Sequence, residues 1–231
     1  MQPYLFPYIG YFQLINAVDK FIILDSVNYI KSGWINRNRI LVNGKPHMFN
    51  FGLSNASSFK LIKDIELNKK NIEATKFIKT IDNNYRKAPC FDAVRELLFH
   101  ICKYECEYIS DFARYCIELV NNYLGIKTTI IPTSSGYNNE LTGKKRIIEM
   151  CKVENADQYI NPIGGIELYD KETFDENGIS LSFLKTKEIE YQQFSYDFVP
   201  WLSIIDVMMF NTVEQIRELL MEYDLVKGDQ V

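Results

Sequence analysis

The chain opens on Met1-Gln2-Pro3-Tyr4-Leu5-Phe6-Pro7-Tyr8-Ile9-Gly10-Tyr11-Phe12, so two prolines and five aromatic rings precede any periodic segment. A solvated loop has little use for so many rings. A loop that lines a pocket does, because flat rings bury area while prolines hold the backbone still. The helix-like run Phe12 to Val18 follows, and then Phe21-Ile22-Ile23-Leu24-Asp25, a short apolar run ending in a carboxylate. Loop, helix, buried strand and acid is how a nucleotide-handling α/β unit begins.

A length of 231 residues suits one large domain, read here as a single domain over 1–231. With 47% hydrophobic residues a sizeable core can form. The formal net charge of -4 argues against a general nucleic-acid binder. No apolar run approaches a membrane span and no signal peptide is visible, so a cytoplasmic protein is expected. The five cysteines, Cys90, Cys102, Cys106, Cys116 and Cys151, are odd in number and sit in helix-like segments, as reduced cytosolic thiols do. Cys102 and Cys106 lie one helical turn apart near His100, but no second ligand pair exists for zinc and no metal site is assigned.

Arg39–Val42 and His47–Phe51 read as strands joined by Asn43-Gly44, a strong hairpin signal because both residues tolerate positive φ. Helices are expected over Asn71–Ile81, after Pro89, and from Ile109 to Leu124, where Gly125 stands at the terminating position. These form a helical insertion over 68–125. Thr128–Ile131, Gln158–Ile160 and Ile179–Leu184 read as strands, and Thr142 as the cap of a helix through Arg146 and Cys151. Leu202–Phe210 and Val213–Tyr223 read as closing helices. The fold class is therefore α/β, with a parallel-type sheet like the Rossmannoid core of nucleotidyltransferases, a helical insertion and a small β-hairpin.

Several residues carry candidate chemistry. Tyr8-Ile9-Gly10-Tyr11 opens a helix where class I nucleotidyltransferases place His-x-Gly-His. Tyr8 and Tyr11 could face phosphate with Gly10 admitting its close approach, or the rings could simply plug the loop. Asp25 ends a strand, where ligands of open α/β sheets collect; the alternative is a turn cap. Asn28, Lys31, Trp34, Asn36, Arg37 and Asn38 follow it. Lys31 and Arg37 are phosphate-compatible cations and Trp34 a stacking ring, unless the run is a solvated loop before the hairpin. His47 has a suitable unperturbed pKa for a general base, against the plainer reading of a histidine on a strand face.

Ser134-Ser135-Gly136 and Gly143-Lys144-Lys145-Arg146 lie between a strand and a helix. Ser134, Ser135, Lys144 and Arg146 suit a phosphate or, equally, a capped helix with a basic surface. Asn161-Pro162-Ile163-Gly164-Gly165 is a tight turn in which Asn161 and Gly165 allow close backbone approach to a ligand, though turn geometry alone would also demand glycine. Asp206 stands among apolar residues and needs a partner if buried, either an arginine or a substrate.

These strings together resemble the WbqC-like family of bacterial proteins. The resemblance rests on Gln2 to Tyr11, Lys31 to Asn38, Tyr159-Ile160-Asn161-Pro162 with Gly164-Gly165, and Leu202 to Asp206. It adds Gln2 to the candidate ligand residues and implies a role in building or decorating O-antigen and other surface polysaccharides. Some members look like transferases that attach glycine or another acyl group to an amino sugar. The resemblance thus implies an N-acyl or aminoacyl transferase, or an ATP-dependent amide ligase. Its partners would be a nucleotide-linked amino sugar and an amino acid or acyl donor, with ATP and Mg²⁺ as cofactors. In that scheme Asp25 orients the amine or the Mg²⁺ ion, His47 accepts a proton and Arg37 stabilises leaving charge. Two alternatives stay open: a non-catalytic nucleotide-sugar-binding protein and a nucleotidyltransferase.

Overall fold

The structure, a computed structural model, describes residues 1–68, 70–194 and 197–227. In chain order its elements are α1 (Ile9–Asn16), β1 (Lys20–Ile22), β2 (Arg37–Val42), β3 (Lys45–Asn50), β4 (Leu53–Ser54), β5 (Glu66–Leu67) and α2 (Lys70–Tyr85). Then come α3 (Phe91–Lys103), α4 (Ile109–Leu124), β6 (Thr129–Ile131), α5 (Gly143–Val153), β7 (Gln158–Pro162) and α6 (Lys171–Asp175). The chain closes with β8 (Ser180–Thr186), α7 (Ile204–Phe210), α8 (Val213–Leu219) and β9 (Tyr223–Lys227). The reading of 1–231 as one domain takes in 69, 195–196 and 228–231, which lie outside the described residues.

The molecule is mixed α/β, with small parallel and antiparallel sheets. β1 pairs with β6 in parallel, and β7 with β8 in parallel, with β9 antiparallel on the far edge of β8. β2 and β3 form the hairpin, turned by Asn43 and Gly44 at φ 51° and 71°. The parallel pairs expected from the sequence are present, but they lie in two separate sheets rather than one. β9 corrects the expected closing helix, which ends at Leu219 with Leu220 as its cap. A five-residue edge strand with mostly exposed side chains carries no alternating signature to read.

The amphipathic stripe of α4 buries Phe112, Cys116, Ile117 and Val120, and Gly125 closes the helix at φ 74°. Helices α2 to α4 share their core with the opening loop. Phe6 stacks on Phe77 of α2 at 5.7 Å, and Phe51 meets Phe112 of α4 at 5.0 Å. β8 is buried on both faces. Leu184 enters that main core, while Leu181 and Phe183 enter a second cluster with Ile148, Cys151 and Phe174. Strand alternation lets one strand serve two cores, which is how a sheet sits between layers.

The aromatic loop is pinned at both ends of the chain. Phe6, fully buried, takes a left-handed φ of 44°, and its carbonyl accepts from Asn38 Nδ2 and Ser203 Oγ, both at 2.7 Å. Ile204 N donates to the Pro7 carbonyl at 2.9 Å. Gln13 of α1 donates through Nε2 to the carbonyls of Leu219 and Glu222.

Candidate functional site

Two parallel strands end side by side at β1 and β6, and the residues just beyond their carboxyl ends converge. Asp25, only 4% exposed, accepts at Oδ1 from Thr133 Oγ1 (2.8 Å), Ser134 N (2.9 Å) and Ser134 Oγ (3.1 Å). Its Oδ2 has only a long contact, 3.4 Å, from Ser110 Oγ of α4. Arg146 reaches in from α5, 5% exposed, and donates from Nη1 to the Ser26 carbonyl at 2.8 Å. From Nη2 it donates to Ser26 Oγ, the Ser134 carbonyl and Asn139 Oδ1. Burial pulls the Arg146 guanidinium below its ordinary pKa, against the opposing pull of Asp25 and Glu149.

Donor bookkeeping fixes the direction of the hydroxyls. Ser26 Oγ accepts from Arg146, so its own proton goes to Ser134 Oγ at 2.6 Å. Ser134 Oγ also accepts from Ser26 N, so its proton goes to Asp25. Arginine, two serines and aspartate therefore form one polarised chain from cation to anion. Thr133 gives its proton to Asp25 and accepts from Ser135 N at 3.1 Å, which brings the exposed Ser135 to the rim. The arrangement leaves one carboxylate oxygen with spare acceptor capacity beneath a rim of hydroxyls. Arg146 Nε is buried without a partner.

Of the sequence candidates, Asp25, Ser134, Ser135 and Arg146 are gathered here. The sequence reading passes over Ser26, Thr133, Ser110 and Asn139. Ser26 and Thr133 adjoin named candidates, whereas Ser110 arrives from α4 and carries no sequence signal. Lys144 turns away from the cluster to Asp170 and Thr173. Thr142 occupies the N-cap of α5, but its side chain makes no cap bond, which corrects that expectation.

The loop before the hairpin is a separate group. Arg37 folds back on the carbonyls of Gly33 and Ser32. The guanidiniums of Arg37 and Arg39 lie 5.9 and 5.3 Å from the ring centre of the exposed Trp34. Asn36 and Asn38 spend their amides on the carbonyls of Phe51 and of Leu5 and Phe6. Asn28 and Lys31 are exposed. His47 is exposed on β3, opposite Ile40.

In the opening loop, Tyr11 is buried and donates to the Gln2 carbonyl at 2.8 Å; burial lifts its phenol well above its ordinary pKa. Tyr8 packs its ring 6.0 Å from that of Trp201. A Cβ on Gly10 would meet Tyr8 Cε2 at 2.3 Å and Thr186 Oγ1 at 2.6 Å, so close approach within the protein already uses that space. Gly10→Ala is accordingly expected to destabilise the fold by about 1–3 kcal/mol, despite alanine's better helix propensity, as thermal unfolding would read. At the other turn, the side-chain amide of Asn161 fills the space above Gly165, 2.7 Å from where its Cβ would stand. Asp206 has no arginine among its hydrogen-bond partners. Tyr85 donates to its Oδ1 at 2.6 Å, and Tyr191 and Gln193 donate to its Oδ2 at 2.7 Å each.

A family model described as the WbqC-like protein family matches residues 2–218, which include every residue of the Asp25–Arg146 chain. An uncharacterized protein of Mycobacterium tuberculosis (strain ATCC 25618 / H37Rv) is 28% identical over 213 residues, covering 89% of this chain and 89% of that protein. No solved structure matches the chain.

Proposed function

Because the chain belongs to the WbqC-like protein family, we propose that it joins an acyl or aminoacyl group, such as glycyl, to the amine of a nucleotide-linked amino sugar during surface-polysaccharide assembly. The observation that carries this reading is the hydroxyl-rimmed carboxylate beyond the carboxyl ends of β1 and β6. That is where ligands of open α/β sheets collect, and it supports the Rossmannoid interpretation of the core. In this reading Asp25 Oδ2 accepts an N–H of the sugar amine and turns its lone pair towards the acyl carbon. As the new C–N bond forms and the bond from the acyl carbon to the adenylate oxygen breaks, Asp25 stabilises the charge that develops on nitrogen and takes its proton, and AMP leaves. Arg146 holds Asp25 in place through Ser26 and Ser134, and Thr133 and Ser135 offer hydroxyls to the sugar or its phosphates.

ATP would activate the acyl donor as an adenylate, with pyrophosphate and then AMP leaving. Among the described residues no three His, Cys, Asp or Glu side chains gather as a metal site. One carboxylate among hydroxyls and an arginine does not fit a protein-held Mg²⁺, so no step is routed through one.

Incubation with ATP, glycine and a nucleotide amino sugar is expected to release AMP and pyrophosphate and to add a glycyl mass to the sugar. Asp25→Asn is expected to lower that turnover roughly 10²–10⁴-fold. Absence of both products with every donor would defeat the catalytic reading. The second reading, a nucleotide-sugar-binding protein without turnover, is favoured by the exposed position of His47 on the hairpin and by the back-folding of Arg37. Tight sugar-nucleotide binding with no product would select it.

A further inference from the structure

The start of α1 and the long connection after β8 enclose a pocket of about 380 Å³, and none of its lining residues belongs to the Asp25–Arg146 chain. The rings of Tyr8, Tyr191, Phe198 and Trp201 line it, together with Glu188 and Glu190. The rings come in two pairs. Tyr8 and Trp201 lie 6.0 Å apart at 58°, and Tyr191 and Phe198 lie 5.1 Å apart at 79°. Neither pair forms parallel walls, so a flat base finds no slot there, whereas a compact group can meet several rings at once.

The lining is held in place by the protein itself. Tyr191 Oη donates to Asp206 Oδ2 at 2.7 Å. Val199 N donates to Gln193 Oε1 at 2.8 Å, and Gln193 Nε2 donates to the Val199 carbonyl at 3.1 Å. Beyond the pocket Ser203 N donates to the Arg39 carbonyl at 2.8 Å. Trp201 sits between these fastenings in left-handed backbone, at φ 59°, and is 61% exposed. Bulky residues rarely adopt that backbone. Phe6 adopts it too, but for a ring that is fully buried. At Trp201 the same strain holds a ring largely in water, which core packing does not explain.

Charge narrows the occupant. Glu188 and Glu190 are exposed, and neither has a hydrogen-bond or ion-pair partner among the described residues. Lys187 on the same rim is paired with Glu222 at 3.3 Å. Arg39 reaches the Trp201 carbonyl at 3.4 Å but is not part of the lining. The pocket thus joins aromatic rings, whose faces attract cations, to two uncompensated carboxylates. Both repel an anionic ligand and both favour a cation.

We propose that this pocket binds an organic ammonium ion, a protonated or methylated amine on a body no larger than one sugar ring. Tyr8 and Trp201 meet the cationic head, and Glu188 and Glu190 supply the counter-charge. The volume lies at the small end of the range for ligand pockets.

The probes are choline and neohexyl alcohol, which has the same shape with carbon in place of the charged nitrogen. The chain has two tryptophans, so a heteronuclear correlation spectrum gives two indole N–H signals, and Trp34→Phe assigns them. Choline is expected to shift the Trp201 signal saturably. The alcohol should bind roughly tenfold more weakly, and salt should weaken choline. Glu188→Gln combined with Glu190→Gln is expected to weaken choline roughly fivefold without changing thermal unfolding, since both side chains are solvated. Trp201→Gly keeps the fold, because glycine takes this backbone without strain, and should lose binding as read by saturation transfer to the choline methyl signal. An unmoved Trp201 signal would overturn the proposal. So would equal binding of choline and the alcohol, or choline binding that survives intact in either variant. Neither ATP nor a nucleotide sugar enters these measurements, so their outcome is independent of the reaction proposed at Asp25.

Discussion

Replacing Asp206 by alanine is expected to cost about 3–5 kcal/mol of folding stability, a large share of the roughly 5–15 kcal/mol typical of a domain. The carboxylate is fully buried and ties four parts of the chain together. It lies in α7, accepts from Tyr85 of α2, and accepts from Tyr191 and Gln193 of the long connection after β8. Tyr85 Oη in turn accepts from Leu41 N of β2 at 2.7 Å. Alanine removes one acceptor and strands three donors in a dry core. Asp206→Asn is expected to cost less, about 1–3 kcal/mol, because its NH₂ group must face donors on one side only. The pH dependence separates the two effects. Burial raises the Asp206 pKa, against the three donors, so the folded state holds this proton more tightly than the unfolded chain does. Its contribution is fully present below the ordinary Asp value and is lost as pH rises through the raised one. In urea titrations the stability of wild type relative to Asp206→Asn should fall as pH rises through that range, and a difference that stays constant with pH would mean that no such linkage exists.

The second large effect is expected at Arg146. Arg146→Ala leaves the carbonyls of Ser26 and Ser134 without their cationic donor and removes the counter-charge at the end of the hydroxyl chain from a buried carboxylate. Removing one charge from a buried hydrogen-bonded network of this kind is expected to cost about 3–5 kcal/mol, and under the proposed function sugar-nucleotide binding goes with it. Arg146→Lys keeps the charge but not the fork, so a single ammonium has to replace four directed bonds and most of the loss should remain. A double variant with Asp25→Asn should be less destabilised than the sum of its parts, by about 0.5–3 kcal/mol, because each single change strands the other group. Additive losses by chemical denaturation would mean that the serines do not couple the two charges.

Local signals in this sequence translate directly into structure. Asn43-Gly44 turns the hairpin and Gly125 ends α4, because left-handed backbone is a property of the residue itself. Asp25 stands at a strand end because a short apolar run followed by an acid has little else to do. What the sequence hides is non-local. Asn36 and Asn38 look like ligand groups in a polar loop, yet they satisfy carbonyls of Phe51 and Phe6. Nothing near either asparagine announces those partners. Gly10 reads as room for a phosphate, and the ring of Tyr8, two residues away, takes up that room. Asp206 asks for a partner in sequence terms, but one of its donors lies 121 residues off. The split of the parallel strands into two sheets is equally invisible, since each strand's own composition is that of a buried strand whether or not a neighbour lies alongside.

The bonds from Phe6 to Ser203 and from Gln13 to Leu219 span 197 and 206 residues. During synthesis the aromatic opening is made about 200 residues before these fasteners. At about 5–20 residues per second the wait is roughly 10–40 s. Through that interval the loop has only part of its native packing, from partners such as Asn38 and Phe77, and contacts of such long range are also the slowest to close. A nascent chain of this design exposes part of its aromatic loop until α7 and α8 emerge, so its yield is expected to respond to chaperone supply.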